Sequence, residues 1–407
     1  MKILVTGSQG FIGRNLCEAL KAIRDRKDRR QKYKPLLPLT IYEYDRSSTL
    51  EELDAWCSDA DFVFNLAGAN RPDNPEEFME TNCNFGSTLL QLLRSHNNSC
   101  PVMLSSSIQA TLKGRYANSA YGKSKLAGED IFFAHGQAMH SKILVYRFPN
   151  VYGKWCRPNY NSAIATFCDA IANNKPFEVN DPSVTLELLY IDDLVDEMLG
   201  ALLSGEHRCN FEGTTAIADP LGKFCFVPTT DRITLGVLLE QLEDFREARV
   251  NLCIPNIPDG SFSKKLYSTF LSYYEPNNAL YSLATHEDAR GSFTEFLRTS
   301  NRGQVSINIS KPGVTKGNHW HNSKWEKFLV VSGRALIRQR RVGRTHDGTL
   351  YPVAEYIVSG HNLQVVEMIP GYTHSITNIS DKEDLVTVIW ANEPFDSDNP
   401  DTYYEEV

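Results

Sequence analysis

The 407-residue sequence has no long apolar run, no Cys-x-x-Cys pair and no excess of basic residues, and each absence removes a class of function. Without about 18 consecutive apolar residues there is no candidate membrane span. The chain opens directly on Lys2-Ile3-Leu4-Val5-Thr6, which reads as a strand and leaves no room for a charged and apolar leader, so a cytoplasmic location is expected. Nine cysteines (Cys17, Cys57, Cys83, Cys100, Cys156, Cys168, Cys209, Cys225 and Cys253) are scattered and odd in number, which suits reduced thiols rather than a disulfide framework or thiolate metal site. A formal charge of -8 argues against a polyanion binder, because nucleic-acid affinity rests on lysine and arginine neutralising phosphates. No nucleic-acid or membrane partner is expected. Internal repeats and low-complexity segments are also missing, which leaves a soluble globular enzyme as the simplest class.

What is present is enough chain for two hydrophobic cores. In the first half, β-rich runs at Lys2–Thr6, Leu39–Tyr44, Phe62–Leu66, Val102–Ser105 and Ile143–Arg147 alternate with helical periodicity at Phe11–Ile23, Phe78–Arg94 and Ser119–Ala134. That alternation predicts an α/β fold, a Rossmann-like doubly wound parallel sheet. The basic run Arg24–Lys34 reads as a solvated surface extension. Leu235, Leu238, Leu239, Leu242 and Phe245 mark one more amphipathic helix, after which Leu252–Glu275 loses all periodicity. A junction is placed there, dividing residues 1–255 from 256–407. Beyond Ser292, closely spaced alternating segments (Gln304–Ile309, Lys327–Val331, Leu336–Arg340, Val386–Trp390) predict an all-β barrel.

Two constellations carry chemistry. Gly7, Gly10 and Gly13 follow the first strand and open a helix, where glycines let the backbone approach a pyrophosphate. After the second strand, Asp45 would favour NAD and Arg46 NADP; the arginine tips the expectation to NADPH. Tyr121 and Lys125 stand four residues apart, on one helix face, so the ammonium can tune the phenol as a proton donor to a carbonyl oxygen. Ser105, Ser106 and Ser107 end the strand just upstream, with simple strand-end capping as the alternative role. In the second half, His319 and His321 alternate on a strand, Glu326 joins them if a turn near Asn322-Ser323 resets the register, and His374 arrives from a separate strand. Three imidazoles and a carboxylate suit a divalent metal, zinc (Zn2+) first, although iron, manganese or nickel accept the same ligands.

With these motifs in place, the first 250 or so residues resemble the extended short-chain dehydrogenase/reductases that act on nucleotide sugars. The resemblance implies that Gly7, Ser8, Gly10, Phe11, Ile12 and Gly13 line the cofactor, with Leu66, Ala67 and Gly68 beneath it and Phe148 beside it. It also implies Tyr121 as acid/base, Lys125 on the nicotinamide ribose, and Ser107 orienting the carbonyl. The spacing from Gly313 to Asn378 looks like the two cupin motifs, the second departing from the usual pattern at Pro370-Gly371. Asp288–Glu295 resembles the opening of cupin epimerases that act on 4-keto-6-deoxy sugars; there Arg290 is either a substrate contact or part of a turn with an ion pair. Taken together with the phrases at 154–162 and 308–313, nearly the whole chain resembles the bifunctional capsular-polysaccharide enzymes that fuse these two domains.

That likeness implies a homodimer acting on a UDP-linked 4-keto-6-deoxy-N-acetylhexosamine, with C3 epimerisation in the cupin and NADPH-dependent C4 reduction, towards UDP-N-acetyl-L-fucosamine. Lys316, His321 and Tyr372 are open candidates for the epimerase base. Rival readings are a sugar-nucleotide sensor and a plain reductase whose barrel serves dimerisation only.

Overall fold

A computed structural model of the chain describes residues 1–68, 76–160, 162–179, 181–301, 303–396, 398 and 400–407; Asn161, within one of the phrases above, lies outside them. In chain order, β1 (Lys2–Thr6), α1 (Phe11–Arg24), β2 (Thr40–Tyr44), α2 (Leu50–Asp59), β3 (Phe62–Asn65), α3 (Glu76–Met79), α4 (Phe85–Ser95), β4 (Val102–Ser107), α5 (Ala120–Met139) and β5 (Ile143–Phe148) alternate. The five strands are parallel and ordered β2-β1-β3-β4-β5, the expected Rossmann-like sheet. Because successive strand residues face opposite sides, the sheet builds two cores at once. Ile3, Val5, Phe62, Phe64, Met103 and Leu144 pack with Leu16, Leu20 and Ile23 of α1. Leu4, Val63, Val102, Leu104 and Val145 pack with Leu53 of α2, Leu89 and Leu93 of α4 and Phe132 of α5. Order reverses about β1, so a crevice opens beyond the ends of β1 and β3.

The first unit continues through β6 (Asn150–Tyr152), α6 (Ala163–Ala172), β7 (Thr185–Tyr190), α7 (Ile191–Ala201), β8 (Arg208–Glu212), β9 (Thr215–Ala218), β10 (Phe224–Cys225), β11 (Asp231–Thr234) and α8 (Leu235–Glu247), whose residues from Glu243 on belong to the second unit. Strand β10 extends the sheet parallel to β5, and the β8–β9 hairpin closes its edge. The basic run is solvated as expected, its arginines and lysines all exposed and only Tyr33 buried within it. Tyr33 and Leu36 are 2% exposed, Arg30 pairs with Asp28 and Asp196, and the Tyr33 hydroxyl donates to Asp196, so alternate polar and apolar residues pin the insertion to α7.

In place of a single junction after residue 255, the chain passes between the units three times: Met1–Leu242 with Pro258–Tyr274 form one, and Glu243–Ile257 with Glu275–Val407 the other. Between β12 (Cys253–Ile254) and the barrel proper, α9 (Phe262–Leu271) returns to the first unit. Apolar burial explains the return: Leu266 and Phe270 are fully buried, and Tyr273 donates from its hydroxyl to the Cys156 carbonyl at 2.6 Å.

The second unit is all-β, as expected. Its strands are β13 (Thr285–Asp288), β14 (Gly291–Thr299), β15 (Gly303–Ser310), β16 (Thr315–Trp320), β17 (Glu326–Ser332), β18 (Arg334–Arg341), β19 (Val353–Ser359), β20 (Val365–Met368), β21 (Tyr372–Asn378), β22 (Leu385–Ala391) and β23 (Tyr403–Tyr404). One sheet runs β12-β14-β15-β22-β17-β20 with β13 on β14, and the other runs β19-β18-β21-β16-β23. Phe328, Val330, Ile337, Val366, Met368, Ile376 and Leu385 fill an apolar core, whereas the buried positions of β15 are Gln304, Ser306, Asn308 and Ser310. Among the described residues no helix is long and apolar enough to cross a membrane, and all nine cysteines are free.

Candidate functional site

The glycine-rich turn closes on itself at the end of β1. Gly7 takes φ +68°, its carbonyl accepts from the Gly10 amide at 2.9 Å, and a Cβ on Gly13 would lie 2.1 Å from that same oxygen. A Cβ on Gly7 would lie 2.8 Å from the Ala67 nitrogen, so Leu66 and Ala67 are held under the turn. Helix α1 starts at Gly10 with no capping side chain and no acid in its first turn, which leaves its amides and its positive dipole end available to a phosphate. The Ser8 hydroxyl beside it is buried without a partner among the described residues. These features fit a dinucleotide. Phe11 and Ile12 follow in the first helical turn, packed against the core.

Beyond β2, Asp45 accepts from the amide and hydroxyl of Ser47 at 2.7 and 2.6 Å, which holds its carboxyl below the ordinary range. Arg46 is exposed.

Ser119 caps α5, its hydroxyl accepting from the Gly122 amide, and thereby sets the face that carries Tyr121 and Lys125. The three serines separate cleanly by role. The Ser107 hydroxyl lies near Tyr121 and accepts from the Gln109 amide; the Ser106 hydroxyl donates to Glu129 at 2.5 Å; the Ser105 carbonyl accepts from the Lys125 ammonium at 3.0 Å. Burial raises the Tyr121 phenol, partly offset by the nearby Ser107 hydroxyl, so the expected lowering by Lys125 is not what the structure has. The cause is position: the ammonium lies 5.7 Å from the ring centre, bonded to Ser105, and burial pushes it down to about 8. Phe148 is buried opposite Ser107 in the β4–β5 register, and a cavity of about 230 Å³ is walled by Ile108, Arg147, Phe148, Phe211, Phe226 and Arg232.

Two buried residues escaped the sequence reading. Where one helix was expected over Phe78–Arg94, a wide π turn at Glu80–Asn84 separates α3 from α4 and sends Asn82 inward to the Ser124 hydroxyl at 3.1 Å. A Cβ on Gly68 would meet Asn82 Oδ1 at 2.8 Å and Lys125 Nζ at 2.9 Å, so Asn82, Lys125 and Gly68 share one spot. Glu129, one turn beyond Lys125, pairs with the equally buried Arg147 at 2.6 Å.

In the second unit the four expected metal ligands converge. Ligand atoms of His319, His321, Glu326 and His374 all lie within 4.8 Å of one another. A bulge between Gly317 and His319 turns the end of β16, with Asn318 at φ +60°, and His319 faces His374 across the β16–β21 register. Glu326 Oε2 lies 3.6 Å from His374 Nε2 and 3.8 Å from His321 Nε2. Among the described residues both His374 nitrogens and His321 Nε2 are buried without a hydrogen-bond partner, which suits lone pairs reserved for a cation. Burial and the neighbouring imidazoles lower His319 to about 4, so its ring is neutral and able to ligate. Burial would raise Glu326, but the adjacent His321 and His374 imidazoles, 3.8 and 3.6 Å away, and the Lys324 charge overcome it and keep the carboxylate ionised. The donor set therefore fits zinc or a similar divalent ion. Of the candidate bases, His321 is drawn into this cluster; the Lys316 ammonium donates to Asn308 Oδ1 and the Ile309 carbonyl. Arg290 is exposed and paired with Asp288 in the β13–β14 turn, the ion-pair alternative.

Residues 3–211 match the NAD dependent epimerase/dehydratase family, and residues 286–403 the polysaccharide biosynthesis C-terminal domain. The chain is 38% identical to UDP-2-acetamido-2,6-beta-L-arabino-hexul-4-ose reductase from Pseudomonas aeruginosa, over 99% of this chain and 98% of that one. It is similar to the crystal structure of the capsular polysaccharide assembling protein CapF from Staphylococcus aureus, with 42% identity, TM-score 0.84 and full coverage of both chains. A second CapF structure, with the inhibitor 3-isopropenyl-tropolone, aligns over both full lengths at 39% identity and TM-score 0.81.

Proposed function

The chain belongs to the NAD dependent epimerase/dehydratase family, in the CapF-like form that adds a polysaccharide biosynthesis C-terminal domain, and from that premise we propose a bifunctional UDP-sugar enzyme. The barrel inverts C3 of a UDP-2-acetamido-2,6-dideoxy-hexos-4-ulose. The first unit then reduces C4 with NADPH, towards UDP-N-acetyl-L-fucosamine for surface polysaccharide. The observation that carries the reading is the convergence of Tyr121, Ser107 and Lys125 at the strand ends beside a phosphate-ready glycine turn.

When bound, reduced nicotinamide supplies the hydride. Tyr121 gives its phenolic proton to the oxygen at C4, and its raised pKa keeps that proton in place until the oxygen becomes basic. Ser107, near the phenol, orients the same oxygen. Lys125, beside Asn82 and Gly68, holds the ribose and steadies the phenolate that remains. The cavity beside Phe148, with Arg232 on its wall, receives part of the nucleotide sugar.

In the barrel a divalent ion, zinc by the nitrogen-rich ligand set, would be held by His319, His321, Glu326 and His374 and supply Lewis acidity to the ketone. Lys316 or Tyr372 would move the C3 proton. A tropolone's adjacent oxygens chelate divalent cations, so an inhibitor of that type on CapF is in keeping with a metal site. Ketone acidity dictates the order of events: inversion before reduction, because the C3 hydrogen loses its acidity once C4 is an alcohol. Exposed Tyr356, Ile357 and Val365 on β19 and β20 support a homodimer, and free cysteines suit the cytoplasm.

The test is to incubate the protein with the ulose and NADPH in deuterium oxide. Loss of NADPH absorbance with deuterium at C3 is expected, and a chelator should stop the exchange without releasing NADPH. Unchanged absorbance with no exchange overturns the reading.

A further inference from the structure

The segment Asp401–Glu406 is bound far more tightly to the barrel than a strand of two residues requires. The Asp401 carboxylate accepts from three consecutive amides 77 to 79 residues away: Asn322 at 2.9 Å, Ser323 at 2.7 Å and Lys324 at 2.9 Å. The Asn322 side chain and the Ser323 hydroxyl add bonds at 3.2 and 3.1 Å. These are the residues of the turn that brings Glu326 round to His319 and His321. Such a ring of amide donors holds the Asp401 carboxyl well below its ordinary range. The Asp401 carbonyl meanwhile accepts from His321 Nδ1, and the Thr402 hydroxyl stands 3.4 Å from the same nitrogen.

Strand β23 then pairs with β16, Tyr404 opposite His319 and Tyr403 opposite Trp320, with the two aromatic rings of the latter pair stacked at 4.7 Å. The Glu405 amide donates to the carbonyl of the bulged Asn318 at 3.0 Å, and buried Arg340 donates to Glu405 at 2.9 Å and to the Glu406 carbonyl at 2.6 Å. The bonds of Asp401 and the Glu405 amide end on a ligand residue, on the bulge before one, or on the turn between two, and those of Arg340 tie the segment to β18.

We propose that Asp401 and β23 form a clasp that positions the ligands of the barrel site. Its carbonyl fixes His321 as the Nδ1–H tautomer with Nε2 turned to the other ligands, and its carboxylate holds the turn that delivers Glu326. Asp401 is thus a positioning residue; it touches neither cation nor substrate. The inference rests on the reading of His319, His321, Glu326 and His374 as cation ligands.

The experiment compares the wild-type chain with Asp401→Ala, Asp401→Asn and a version shortened by residues 401–407. Zinc affinity is measured by competition with a chromophoric chelator, and the His321 tautomer by nitrogen-15 spectra of the metal-free protein. Loss of such an outer partner costs about 10–100-fold in metal affinity, expected for Asp401→Ala and the shortened chain. Asp401→Asn, which keeps one acceptor oxygen, should fall between and protects the test against misfolding. In the spectra His321 should pass from one tautomer to a mixture. Equal zinc affinity with an unchanged His321 spectrum in all three variants overturns the clasp alone. A wild-type chain that takes up no zinc, manganese or iron overturns the ligand reading and the clasp with it.

Discussion

The Lys125 ammonium stands 5.7 Å from the centre of the Tyr121 ring and donates to the Ser105 carbonyl. On the proposed reading, proton transfer and cofactor positioning therefore fall on different side chains of one helix face. Tyr121→Phe keeps the ring, including its tilted contact with Phe78 at 5.8 Å, and removes only the proton. NADPH consumption should drop by about 10²–10⁴-fold, with NADPH affinity by fluorescence titration unchanged.

Lys125 should also leave a trace in stability. Its folded value, about 8, lies below the ordinary 10.5. Below pH 8 both folded and unfolded chains carry the proton, so the fold bears the whole cost of a buried ammonium. Between 8 and 10.5 the unfolded chain keeps the proton more readily, and stability rises with pH. Urea unfolding should show wild type gaining up to roughly 3 kcal/mol relative to Lys125→Met across that window.

On the proposed NADPH reading, Arg46 sets the choice of cofactor. Asp45 is engaged by Ser47, whereas the neighbouring guanidinium is exposed beside the place where an adenosine ribose would lie. Arg46→Ala should weaken NADPH by about 10–100-fold, the worth of a charge-assisted contact of about 1.5–3 kcal/mol, and leave NADH unchanged in a calorimetric titration.

The Glu129–Arg147 pair is closed to solvent, with side chains 1% and 8% exposed. Glu129→Ala would strand the Arg147 charge and should lower stability to urea by about 3–5 kcal/mol. Replacing both partners with apolar residues of matched volume should cost much less.

How much of this was legible depended on distance along the chain. The glycine turn, Tyr121 with Lys125, and His319 with His321 lie within a few residues of one another, so helix or strand periodicity alone brings each group together. Glu326 needed a turn near Asn322-Ser323 to reset its register, and His374 a separate strand to carry it in. Asn82 was hidden because a regular helix through Glu80–Asn84 would not aim it inward; only the π turn does. Asp401 and the Glu129–Arg147 pair come from separate elements, joined by the register of sheets that no local pattern specifies. The phenol's raised pKa likewise follows from burial, a property of the folded surroundings.

Helix α9 makes the two halves awkward to separate. A fragment beginning at residue 256 would leave β12 behind and carry Leu266 and Phe270 without the neighbours that cover them, while the fragment before it would lose the Tyr273 tie to Cys156. Anyone transplanting the barrel, or expressing the reductase alone, has to make two excisions and graft α9 back. The two units thus travel as an interleaved pair, and a truncation chosen at the loss of sequence periodicity would damage both partners.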